Sequence, residues 1–96
     1  MRTVYKYPLA VTDRQEITVP SLLHDGKPIP SKFLHVAMQN GQPCVWALVD
    51  NSAPSKSYTV TMCGTGCPCD SDPAGYLGTI LLMNGGLVLR VFVGRK

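Results

Sequence analysis

The order of strand-forming runs and turn residues constrains the fold of this chain more than any other feature. Residues 33–39 and 43–49 are rich in β-branched and aromatic residues, and they flank the dipeptide Asn40-Gly41. Asparagine and glycine tolerate the positive φ angles of a type I′ turn, which joins two antiparallel strands through two residues. This segment therefore predicts a β-hairpin.

The rest of the chain repeats the pattern of short strands and turns. Asn84-Gly85-Gly86 predicts a second hairpin between residues 76–83 and 87–93. No segment shows the 3.6-residue periodicity of a helix, and residues 21–31 predict a loop or a short helical turn. Further strands are predicted at residues 3–9, 16–19 and 58–63. We therefore expect one all-β domain over residues 1–96, a small antiparallel barrel or sandwich of about seven strands.

Several predicted strands carry apolar residues on both faces. In residues 87–93, one face carries only Leu and Val, and the other carries Val88, Arg90 and Phe92. A single sheet layer in water would show one polar face instead. Because no helix is predicted to cover the outer side, the simplest cover is another copy of the chain, and we expect a homo-oligomer.

The charge distribution limits the choice of partners. Nine Lys and Arg against six Asp and Glu give a net charge of +3, but the basic residues are scattered along the chain. Proteins that bind nucleic acid concentrate positive charge on one face, so no nucleic-acid partner is expected.

The first residues lack the apolar core of a secretory signal, and no apolar run is long enough to span a membrane. We therefore expect a cytoplasmic protein without a membrane partner. Because cytoplasmic thiols are kept reduced, we also expect the four cysteines to be free rather than paired.

Three of the four cysteines lie in the segment 62–73, MCGTGCPCDSDP. The spacing of Cys63, Cys67 and Cys69 is not that of the paired CxxC motifs of structural zinc sites. The two aspartates that follow would weaken a nearby thiol as a nucleophile. We expect no metal site and no cofactor here, and keep a cysteine-loop metal or redox protein as an alternative.

No catalytic arrangement is recognisable, so we do not expect an enzyme. His24 lies in a proline-rich segment, and the chain has no Gly-x-Ser-x-Gly motif. His35 shares a predicted strand face with Phe33 and Ala37, which predicts a half-buried, hydrogen-bonded histidine rather than a base.

Aromatic and basic side chains are the remaining candidates for a binding site. Such groups stack on a base and hold a phosphate, although the rings could equally fill the core while the cations reach solvent. The glycines around Thr65 could arrange backbone amides for an anion, or simply let the chain leave a strand. The predicted ligand-binding residues are Tyr5, Lys6, Tyr7, Trp46, Gly64, Thr65, Gly66 and Arg90.

Four segments together carry a family resemblance. They are YKYPL at residues 5–9, QNGQPCVWALVD at 39–50, GTGCP at 64–68 and YLGTI at 76–80. In this order they resemble a family of small phage and prophage proteins of uncharacterised function. The resemblance implies a small cytoplasmic protein made in infected bacteria, and it supplies no catalytic residue.

Phage accessory proteins of this size often act by binding, so the resemblance leads to a functional expectation. We expect a non-enzymatic accessory protein that inhibits or modulates a host defence protein through a sheet surface. An alternative is a sponge that sequesters a small nucleotide immune signal at a subunit interface, using the predicted ligand-binding residues.

Overall fold

The computed structural model describes residues 1–95, and within this range the chain forms nine β-strands and two short 3₁₀ helices. The all-β prediction is confirmed. The strands are β1 (Arg2–Pro8), β2 (Arg14–Pro20), β3 (Leu22–His24), β4 (Lys27–Ile29), β5 (Lys32–Gln39), β6 (Gln42–Asp50), β7 (Ser55–Gly64), β8 (Tyr76–Leu82) and β9 (Leu87–Arg95). The 3₁₀ helices are Pro73–Gly75 and Met83–Gly85.

The strands form two antiparallel sheets and one small hairpin. Sheet A has the strand order β1-β6-β5, and sheet B has the order β2-β7-β9-β8. The short strands β3 and β4 pair only with each other. Buried residues of both sheets pack into common clusters, so the architecture is a two-layer sandwich.

The core forms because alternate residues of each strand point between the sheets. Val45 of sheet A packs in one cluster with Val60 and Val91 of sheet B, and all three are fully buried. Tyr58 is also buried, and its hydroxyl accepts hydrogen bonds from the Ser31 amide (3.1 Å) and hydroxyl (3.0 Å). The hydroxyl oxygen, the one polar atom of the Tyr58 side chain, therefore has hydrogen-bond partners inside the core.

Both predicted hairpins are present. Asn40 and Gly41 have φ angles of 52° and 77°, and they connect β5 to β6 as the type I′ pattern requires. The second hairpin joins β8 to β9 through a longer turn that includes Met83, Asn84 and Gly85, all with positive φ.

The prediction for residues 21–31 was wrong, because this segment contains the hairpin β3-β4 rather than a plain loop or a helical turn. Asp25 and Gly26 have φ angles of 51° and 74° and form its turn. Asp-Gly suits a type I′ turn as Asn-Gly does. The flanking strands were not predicted because each has only three residues and because prolines nearby argue against a strand.

Gly75 of the first 3₁₀ helix lies close to the backbone of sheet B. A Cβ atom at Gly75 would lie 2.5 Å from the carbonyl oxygen of Val93, so a side chain must displace backbone. We expect Gly75→Ala to lower the free energy of unfolding by about 1–3 kcal/mol, measured by urea denaturation.

Gly94→Ala is the matched control, because a Cβ atom at Gly94 meets no atom within 4 Å. We expect its free energy of unfolding to change by less than about 0.5 kcal/mol. An equal loss in both variants would show that the contact with Val93 is not the cause.

Candidate functional site

The face of sheet B that points away from the core is partly covered by residues 65–72, here called the cysteine loop. This loop leaves the end of β7 and folds back along the same strand, since Ser71 Oγ is hydrogen-bonded to Thr61 Oγ1 in the middle of β7. It ends at Asp72, whose carboxylate accepts a hydrogen bond from the amide of Ala74 (2.9 Å) and caps the 3₁₀ helix.

A disulfide between Cys63 and Cys69 closes this loop, with a Cα–Cα distance of 5.6 Å. The expectation that all four cysteines are free was therefore wrong. It rested on the reducing compartment that was expected for the protein, whereas the pairing follows from local geometry. The Cys67 amide donates to the Gly64 carbonyl (3.1 Å), and Gly66 adopts a φ of 79°. This tight turn reverses the chain and returns Cys69 to the side of Cys63.

The other two cysteines remain thiols. Cys44 is buried within sheet A, and Cys67 is exposed in the cysteine loop. Residues 1–95 contain no group of three His, Cys, Asp or Glu side chains placed to hold a metal ion. With Cys63 and Cys69 bonded to each other, neither is available as a thiolate ligand in this state.

A cleft of about 870 Å³ runs along the cysteine loop. It is lined by the loop itself, by residues 11–14 next to the start of β2, and by side chains of β7 and β9 such as Thr59, Thr61 and Phe92. A volume of this order lies in the usual range of binding clefts.

The charges around the cleft are mixed. Arg14 and Arg95 line it, but so do Asp13, Asp70 and Asp72. Two positive charges thus face three negative charges among the described lining residues. The cleft therefore offers no strongly positive surface to a polyanion.

Beside the cleft, the outer side of the β8-β9 hairpin carries three cross-strand pairs, which we call the outer ladder. The register of the β8–β9 pairing shifts between Tyr76 and Gly78. Leu77 therefore has no cross-strand partner, and its side chain packs against the core. This β-bulge keeps Tyr76 and Thr79 on the same outward face. The three pairs are Tyr76 with Phe92, Thr79 with Arg90, and Leu81 with Val88.

Hydrogen bonds hold the polar members of the outer ladder in place. Arg90 Nη1 donates to Thr79 Oγ1 (2.5 Å), and the same oxygen lies 2.6 Å from the Tyr76 hydroxyl. The hydrogen bond with Thr79, together with the nearby Arg90 guanidinium, lowers the pKa of Tyr76. The Tyr76 ring also meets the edge of Phe92, with centroids 5.5 Å apart.

Four of the predicted ligand-binding residues lie in sheet A. Trp46 and Lys6 are cross-strand partners on its outer face, and Lys6 Nζ donates to Gln39 Oε1 (2.5 Å). Tyr5 and Tyr7 point to the other side, where Tyr7 packs against the core and burial raises its pKa.

His35 was expected to share a face with Phe33, and the structure corrects this. The pairing of β5 with β6 shifts between Phe33 and His35, so that Phe33 faces the core while His35 is exposed beside Trp46, with ring centroids 5.7 Å apart. A β-bulge of one residue reverses the alternation, and the sequence pattern does not reveal it.

The other four predicted residues lie in sheet B or its cysteine loop. Arg90 is the cross-strand partner of Cys63, and Gly64 follows Cys63, so the structure brings Arg90 and Gly64 together. Thr65 and Gly66 are exposed at the tip of the turn. Because the outer faces of a sandwich point in opposite directions, Trp46 and Arg90 cannot share a site within one chain.

Sequence reasoning missed Tyr76, Leu81 and Phe92 as site residues. The alternation of β9 could have placed Phe92 on the face of Arg90, as the two are separated by one residue. No sequence pattern indicated that Arg14 is a site residue, because the cleft that it lines exists only once the cysteine loop packs beside β2 and β7.

Thiol counting tests the disulfide. We expect native protein to react with one maleimide at exposed Cys67, and unfolded protein without reductant to react with two, because Cys44 becomes accessible. After reduction in denaturant, all four cysteines should react. Mass spectrometry gives the count, and four labels in denaturant without reductant would contradict the Cys63–Cys69 bond.

No helix among residues 1–95 is long and apolar enough to cross a bilayer.

Comparison with known proteins identifies a family for this chain but no activity. Neither the curated proteins nor the solved structures contain a significant match to this chain. A family model described as a domain of unknown function matches residues 1–96, and the chain therefore belongs to the DUF7352 family.

Proposed function

We propose that this protein acts by binding a partner protein through the outer face of sheet B. The outer ladder is the observation that supports this most directly. Tyr76 and Leu81 are 49% and 57% exposed, although both are large hydrophobic side chains of β8. Arg90 lies between them on the neighbouring strand. Exposed aromatic, aliphatic and arginine side chains in one patch are typical of protein interfaces.

The outer ladder is already ordered before any partner arrives. Thr79 fixes the Arg90 guanidinium and the Tyr76 hydroxyl, and Phe92 supports the Tyr76 ring. Side chains that are held in one conformation lose less entropy on binding than mobile ones. The same groups would therefore contribute more affinity here than on a flexible loop.

The cleft extends this surface. Phe92 belongs to the outer ladder and also lines the cleft, so the two regions are continuous. A partner that covers the ladder can insert a side chain or a short segment between the cysteine loop and β7. Such a central, enclosed contact is where binding energy concentrates in protein interfaces.

The resemblance to phage proteins supports a host protein as the partner. On this proposal the protein is a non-enzymatic accessory protein of the bacterial cytoplasm, and it inhibits or modulates a host defence protein by covering part of its surface. Its function then resides in one surface and does not require a catalytic group.

A nucleotide sponge is the second candidate, but the charges of the cleft favour it less. Arg14 and Arg95 are suited to phosphates, yet three aspartates line the same cleft. The predicted stacking residue Trp46 lies on the other sheet, so a second copy of the chain would have to supply it.

We also propose that a second copy covers the outer face of sheet A, which would produce the expected homo-oligomer. Val4 and Leu34 are 49% and 46% exposed, and Trp46 lies on the strand between theirs. We expect light scattering to report a dimer for the wild-type chain and a monomer for Leu34→Glu. A wild-type monomer at high concentration would remove this part of the proposal.

The partner interface is tested by Leu81→Glu, which places a charge in the pair at one end of the outer ladder. We expect capture of the partner from phage-infected bacteria by the immobilised protein to fall more than about tenfold, because a charged side chain replaces an apolar contact in the interface. Quantitative mass spectrometry of the captured proteins measures this.

Ile29→Glu is the matched control, since Ile29 is also an exposed apolar residue (38%) but lies on β4, which pairs with β3 and is not a strand of sheet B. It should leave capture unchanged. Equal capture by Leu81→Glu and wild type would place the interface elsewhere, and a nucleotide retained in place of a protein would favour the sponge.

A further inference from the structure

The Cys63–Cys69 disulfide forms one wall of the cleft. Both cysteines line it, as do Cys67, Pro68 and Asp70 between or beside them. The bond closes a segment of only seven residues, with a sequence separation of 6. The shape of this part of the cleft therefore depends on whether the two sulfur atoms are bonded.

The two bonded cysteine residues differ in exposure. Cys69 is exposed on the loop, whereas Cys63 lies at the end of β7 and is only 8% exposed. A thiolate must approach a disulfide sulfur directly, so accessibility selects the sulfur that is attacked. We therefore expect an external thiol to attack Cys69 Sγ.

The loop has few other attachments between these cysteines. Within residues 65–70, the turn hydrogen bond from the Cys67 amide to the Gly64 carbonyl is local and does not join the loop to another strand. From Ser71 onward the chain is held again, through the hydrogen bond with Thr61 and the cap at Asp72. Opening of the disulfide would therefore free residues 65–70, whereas Gly64 stays paired with Leu89 and the 3₁₀ helix stays in place.

We propose that the cysteine loop is a thiol–disulfide exchange site whose redox state sets the width of the cleft. The attacking thiolate forms a bond with Cys69 Sγ, the Cys63–Cys69 bond breaks, and Cys63 leaves as a thiolate that takes a proton from water. A second thiol then displaces Cys69 from the mixed disulfide. In total, two small thiols are oxidised to their disulfide, and Cys63 and Cys69 become two thiols.

The consequence for binding rests on the proposed function of this face. When the bond is closed, the cleft has a fixed wall beside Phe92. When it is open, residues 65–70 can move away from sheet B, so a partner would meet a wider and less ordered cleft. The protein would then bind differently in an oxidising and a reducing environment.

Hydrogen exchange tests the opening without any partner. We expect reduction of the wild-type protein with dithiothreitol to raise exchange at the amide of residue 67, which is bonded to the Gly64 carbonyl, at least about tenfold, with little change at residues 74–76. Cys69→Ser should show the fast exchange without reductant. Cys67→Ser keeps the disulfide and is the matched control, so it should respond to reduction as the wild type does.

Exchange at the amide of residue 67 that is the same before and after reduction would overturn the proposal. The result does not depend on the interface, because Leu81→Glu retains the loop and should still open on reduction. Loss of partner capture and failure of loop opening are therefore separate outcomes.

The site of attack is tested in the Cys67→Ser protein with reduced glutathione. After brief reaction and alkylation of the remaining thiols, we expect peptide mass spectrometry to find glutathione on Cys69 and the alkyl group on Cys63. Glutathione on Cys63 would contradict the assigned direction of exchange.

Discussion

The contact between the inner faces of the two sheets is the interaction on which the rest of this structure depends. Val45, Ala47 and Val49 of β6 are fully buried, and Val60 and Val91 of sheet B close the core from the other side. Burial of one such valine contributes about 1.5–3 kcal/mol, so a shift of register that exposes the set is strongly disfavoured. The core thereby also decides which side chains face outward.

The outward face of sheet B follows directly from that choice. With Val60 and Met62 in the core, Thr61 and Cys63 must point away from it, and with Val91 inside, Arg90 and Phe92 must point outward. The side chains of the candidate site are thus those at the alternate strand positions that do not point into the core. Their chemistry is set by what each alternate position contains, and their spacing is set by the strand pairing.

The site combines a rigid part and a part that is held by one covalent bond. The outer ladder lies on paired strands and is fixed by the Thr79 hydrogen bonds. The cysteine loop is attached through Cys63–Cys69 and Ser71 and has little core of its own. Regions with few buried contacts open at low free energy, whereas paired strands open only with the domain. Stable recognition and redox-dependent adjustment would therefore reside in different elements of one surface.

The sequence by itself determined the all-β class, both hairpins and the Leu and Val face of residues 87–93, because turn residues and period-two alternation are local properties. It also placed Arg90 and Gly64 among the candidate residues. It did not reveal the bulges at Leu34 and Leu77, the short β3-β4 hairpin or the disulfide. Only the tertiary structure separated Trp46 from Arg90 and built the cleft, because these depend on which strands become neighbours and on where the cysteine loop folds back. Such pairings join residues distant in the chain, and alternation within one strand carries no information about them.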